Sequence, residues 1–126
     1  MRFLSLEEVL LIHNRTILVH GGTPGIRDPG GLESALVAVR NRRLYENAMT
    51  LQCAATYAYH LSQAHAFLDG NKRIAAQTTE IFLALNNIQL AATNDEIVEL
   101  FLGIAASELS RAQVEERLTK WATKIT

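Results

Sequence analysis

Apolar residues recur at three- and four-residue intervals along most of this 126-residue chain, and no alternating strand pattern runs longer than Ile88 to Leu90. That periodicity, rather than any single residue, restricts the fold to an all-α class: a compact bundle of roughly six or seven helices. Three boxes of the form Ser/Thr-x-x-Glu/Gln mark where helices start, at Ser5 with Glu8, Thr93 with Glu96 and Ser110 with Gln113. The first helix is predicted from about Leu6 to Val19, with Leu6, Val9, Leu10, His13 and Ile17 on its apolar face. Periodicity resumes at Leu32, Leu36 and Val39, pauses near Arg42 and Arg43, and returns over Leu51 to Ala64. The alanines of that third stretch allow close helix packing, so it is expected at the buried centre. A further helix is predicted from about Asn71 to Leu85, stopped by Asn86 and Asn87.

Length and composition fit a single domain spanning residues 1–126, since 48% hydrophobic residues supply one core. A formal charge of −1 offers no global field for nucleic acid or an anionic membrane. Cys53, the single cysteine, cannot form an internal disulfide, and the acids at Glu7 and Glu8 interrupt any signal-peptide core. No apolar run approaches the roughly 20 residues needed to span a bilayer. The expected location is therefore cytoplasmic.

Two segments depart from the helical pattern. Gly21 to Gly31 gathers most of the glycines and both prolines, which predicts a long loop of the kind that often carries function. The second segment is His65-Ala66-Phe67-Leu68-Asp69-Gly70-Asn71-Lys72-Arg73, which collects a base, an acid, a glycine and two cations within nine positions. If Gly70 and Asn71 begin a helix, their free N–H groups and the helix dipole attract an anion, and Lys72 and Arg73 add charge beside it. A polyphosphate suits such a turn. Asp69 is placed to hold Mg²⁺ against phosphate oxygens, because this cation is usually bound by one or two carboxylates plus the substrate's phosphates. His65 offers an imidazole that can take the proton of an attacking hydroxyl. The segment therefore has the parts of a phosphoryl- or nucleotidyl-transfer site.

These nine residues resemble the Fic motif, His-x-Phe-x-Asp/Glu-Gly-Asn-Gly/Lys-Arg, in its Doc version with lysine in the eighth place. A chance match over seven fixed positions has a probability on the order of one in ten million. The likeness extends to the short all-α layout and to the Gly-Gly-x-Pro-Gly-x-x-Asp pattern of Gly21 to Asp28. The resemblance implies that His65 is the catalytic base, Asp69 the metal-binding acid, Asn71 the residue that orients the anion-binding turn and Arg73 the phosphate clamp. It implies that Lys72 fills part of the anion cavity, so that the nucleotide binds reversed and presents its γ-phosphate. The product is then a phosphoprotein, and the resemblance implies elongation factor Tu, modified on a threonine, as the target, with translation blocked. Ala66 stands where the wider family commonly has proline, a change expected to affect loop stiffness.

The family's inhibitory helix, Ser/Thr-x-x-x-Glu-Gly/Asn, has no match; Arg42 to Asn47 comes nearest, with arginine in the first place. The resemblance therefore implies an inhibitor in trans, an antitoxin whose disordered tail folds against the toxin. Two other functions stand beside this one: transfer of AMP by the same residues, and a non-enzymatic module that binds a partner or operator DNA. The remaining residues have plainer expectations. His13, His20 and His60 are taken as packed or surface residues, and a zinc set of His60, His65 and Asp69 is disfavoured because its two histidines lack the i, i+4 spacing of a helical metal site. Phe67 is expected as a core anchor and Trp121 as the closure of the bundle. Arg40, Arg42 and Arg43 are expected to form a solvated helix end.

Overall fold

The computed structural model describes residues 1–125, in which six helices and two short strands follow the chain. They are α1 (Leu6–His20), α2 (Pro29–Glu46), α3 (Thr50–Ala64), α4 (Asn71–Leu85), β1 (Ile88–Leu90), α5 (Asn94–Ala105), α6 (Arg111–Trp121) and β2 (Ala122–Lys124). The all-α expectation holds.

The three boxed starts form as the sequence dictates. Ser5, Thr93 and Ser110 each accept the N–H of the residue three positions on, and that residue's side chain returns to the cap. In two of them the cap's hydrogen bonds hold the carboxyls of Glu8 and Glu96 below the usual carboxylate range.

Helix α3 is the centre of the bundle. Six consecutive residues, Cys53 to Ala58, are buried, because α2, α4, α5 and α6 all pack around this one helix. Small side chains at Ala54, Ala55 and Ala58 let those helices approach closely, and Tyr57 fills the space between, tilted against Phe82 of α4 at 4.9 Å. The Tyr57 hydroxyl meets the chain before α1 by accepting the Leu4 N–H at 3.0 Å. Helix α1 lies against α4, the helix that opens immediately after the motif. The two strands pair antiparallel, Gln89 opposite Thr123, with Trp121 buried just before them. The C-terminal segment thus closes the bundle against the end of α4.

Two details differ from the expectations. The glycine-rich loop is shorter than Gly21 to Gly31, because Asp28 caps α2 by accepting the Gly31 N–H at 2.9 Å, and Pro29 occupies the first helical position. Proline there loses no intrahelical bond and has the φ a helix needs, so the last three residues join the helix.

The expected pause at Arg42 and Arg43 also does not occur, and α2 continues to a left-handed Asn47. The Arg42 guanidinium is only 11% exposed; it donates to the Gln52 carbonyl and Thr56 hydroxyl of α3 and pairs with Glu115 of α6 at 3.2 Å. A cation replaces an apolar side chain at that seam without interrupting the helix. Its neighbours are engaged too: Arg43 donates to the Ala48 carbonyl, and Arg40 lies 5.3 Å from the centre of the Phe3 ring. Arg42 therefore joins three helices rather than forming a solvated helix end, while Arg40 stays exposed and Arg43, in the last turn of α2, binds the loop that follows.

Candidate active site

The motif forms the connection between α3 and α4. His65 ends α3 as its C-cap in the left-handed region, φ 46, a conformation uncommon for a residue with a side chain, and it is exposed. Phe67 follows and is 1% exposed. This aromatic anchor pins the middle of the loop to the core, as expected. Asp69 is exposed, Gly70 caps α4 at φ 76, and Asn71, Lys72 and Arg73 form the helix's first turn.

Asn71 explains the shape of the loop. Its Oδ1 accepts the Phe67 N–H at 3.0 Å and its Nδ2 donates to the Phe67 carbonyl at 2.9 Å. One side chain thus satisfies both main-chain groups of a residue that has neither helix nor sheet partners for them.

The start of α4 departs from the pattern of α1 and α5. Helices α1 and α5 have acidic residues in their first turns and side-chain caps. Helix α4 has no acid in its first turn and no side-chain cap. It has Lys72 and Arg73 there, both exposed, on the end of the dipole that disfavours cations. Among the described residues no acceptor meets the N–H groups of Asn71, Lys72 or Arg73. Three free amides and two cations around one turn favour an anion, and a phosphate chain would suit them. Asp69 would supply one carboxylate to Mg²⁺ beside substrate phosphates, because each of its oxygens accepts one main-chain N–H and keeps a lone pair for a hard cation. These partners are Gly70 to Oδ1 at 2.9 Å and Thr23 to Oδ2 at 3.2 Å. The residues present therefore fit both a magnesium ion and a triphosphate.

The second of those contacts comes from the glycine-rich loop, which runs antiparallel to the motif. Ile26 bridges Phe67, the Ala66 carbonyl accepts both the Arg27 and the Asp28 N–H, and Leu68 donates to the Gly25 carbonyl. Ala66 contributes its carbonyl to this pairing, an atom that proline would also offer. A side chain at Gly22, whose φ is +117, would place its Cβ 2.8 Å from Asp69 Oδ2, so glycine is required for the loop to approach the carboxylate. The sequence marked this loop as functional but gave no sign that it rests on Asp69.

His13 was expected to be merely packed. It is 2% exposed, and it also contacts the site: its ring stacks on Phe67 with centroids 3.8 Å apart and planes 13° apart, and Nε2 lies 2.9 Å from the Asp69 carbonyl. The available signal was an imidazole among Leu6, Val9, Leu10 and Ile17 on an otherwise apolar face. His60, by contrast, faces Arg111 at 3.4 Å. Two shallow depressions, between α5 and α6 and along the outer face of α6, include no motif residue.

The motif loop of this helical bundle thus carries an exposed histidine, a carboxylate and an uncapped cationic helix start. The chain belongs to the Fic/DOC family, whose model matches residues 3–83. It is 35% identical over 121 residues, 95% of this chain and 95% of the relative, to the protein kinase doc of Escherichia phage P1. Among the described residues no helix is long and apolar enough to cross a membrane.

Proposed function

We propose that this chain is a Doc-type toxin that transfers the γ-phosphate of ATP to a serine or threonine hydroxyl of a protein, with elongation factor Tu as the leading target. The observation that carries this reading is the start of α4, where three unpartnered amides, Lys72 and Arg73 surround a turn flanked by Asp69. The name of the phage relative, a protein kinase, supports phosphoryl transfer in particular.

In this reading the triphosphate rests on the first turn of α4. The amides of Asn71, Lys72 and Arg73 bind phosphate oxygens, and the two side chains offset the negative charge. Magnesium, when bound at Asp69, would supply further charge neutralisation at those oxygens. His65 takes the proton from the incoming hydroxyl at a ring nitrogen as the oxygen bonds to phosphorus and the bond to the ADP leaving group breaks. Its left-handed backbone turns the imidazole out of α3, and the Phe67 anchor with the Asn71 clamp limits movement of the loop beneath it. Regulation is then supplied in trans by an antitoxin with a disordered tail, a reading supported by the lack of a match to the family's inhibitory string in this sequence.

The test is transfer from ATP labelled at the γ- or the α-phosphate, with lysate proteins as acceptor. Label from the γ position alone supports the kinase reading. Label from the α position establishes AMP transfer instead, and no label from either position supports a non-enzymatic module.

A further inference from the structure

We propose that His13 is a positioning residue of the transfer site: through Nε2 it fixes the Asp69–Gly70 peptide, and thereby the direction of the Asp69 carboxylate. The proposal rests on the phosphotransferase reading above. The Asp69 carbonyl can only accept, so His13 Nε2 carries the proton and donates at 2.9 Å. The other edge of that same planar peptide is the Gly70 N–H, which donates to Asp69 Oδ1 at 2.9 Å. Holding the carbonyl therefore holds the N–H, and the N–H orients the carboxylate.

An external tether is needed here. Gly70 has φ 76 and no side chain, so its own backbone restricts this peptide weakly. The tether itself is rigid: the ring is buried and stacked on Phe67, and it lies under the turn so closely that a Cβ on Gly70 would stand 3.7 Å from Nε2. It is carried by α1, which packs along α4. A histidine retained only for packing has no reason to choose the carbonyl of the residue that bears the carboxylate. Groups that orient a metal-binding side chain typically change metal affinity by about 10- to 100-fold when removed.

The experiment compares wild type, His13→Phe, His13→Gln and Asp69→Asn. Calorimetry measures ATP affinity with and without Mg²⁺, and NMR measures hydrogen exchange at the Gly70 amide. Phenylalanine keeps the stack and loses the donor; glutamine loses the ring and can restore a donor near the Nε2 position. The expected result for His13→Phe is Mg²⁺-dependent ATP affinity lowered by about 10-fold or more, Mg²⁺-free affinity little changed, and the Gly70 amide exchanging about 10-fold faster. His13→Gln should recover most of both effects. Wild-type values for His13→Phe in both measurements, or loss of Mg²⁺-free binding to the same extent, would overturn the proposal. If wild type and Asp69→Asn bind ATP alike at all Mg²⁺ levels, the transferase reading fails, and Gly70 exchange alone then decides whether His13 orients the peptide.

Discussion

Replacing Asn71 with alanine tests how the motif loop is held. The substitution removes two hydrogen bonds, to the N–H and the carbonyl of Phe67. At about 1 kcal/mol net each, with a further cost for partly buried groups left unpaired, the loss is about 2–3 kcal/mol. Alanine is the better helix former at this first position of α4, which offsets about 0.5 kcal/mol. The expected net destabilisation is therefore about 2 kcal/mol, read from urea unfolding as a lower midpoint with an unchanged slope. In thermal unfolding it corresponds to a drop of about 8 °C for a chain of this size. Asn71→Asp keeps the acceptor and loses the donor, so it should fall between alanine and wild type. The Phe67 amide should exchange much faster in the alanine variant and only slightly faster in the aspartate variant. A change below about 0.5 kcal/mol in Asn71→Ala, with Phe67 exchange unaltered, would refute the clamp.

Two further outcomes follow from particular side chains. Lys72→Gln should stabilise the free protein by about 0.5 kcal/mol, since it removes a cation from the positive end of the α4 dipole, while ATP affinity falls; denaturation and calorimetry on one sample read both, and a loss of stability would contradict the account. Burial, then the guanidiniums of Arg111 and Arg42, push the His60 pKa below its ordinary 6.5. The unfolded chain then binds the proton more readily, so stability is intact above pH 6.5 and declines as pH falls below it. His60→Gln should flatten that part of the stability profile, whereas an unchanged slope would show that other groups control it.

Much of the fold was legible because its helices obey local rules. Ser5, Thr93 and Ser110 announce their helices within four residues, and the alanines of α3 foretell a central helix before any contact is known. The site candidates were legible in the motif His65 to Arg73, which gathers a base, an acid, a glycine and two cations within nine positions; the structure adds that its two cations stand at a helix start, where the dipole disfavours them. The tertiary partners left no local sign. Nothing near Arg42 indicates that its charge will be met by Thr56 and Glu115, 14 and 73 residues away. The same holds for His13, whose partner Asp69 lies 56 residues along the chain. The glycine-rich loop was recognisable by composition, but its docking on the motif depends on main-chain pairing at Ile26 and Phe67, which composition does not encode.

The central claim is that the turn from Asp69 to Arg73 holds the phosphates of ATP while His65 deprotonates the acceptor. The most direct measurement is mass spectrometry of cellular proteins after expression of wild type or His65→Ala. The account predicts a hydroxyl side chain bearing one added phosphate in wild-type samples, with modification reduced by about 10²- to 10⁴-fold in the variant. Added AMP, or equal phosphate with and without the imidazole, would contradict it.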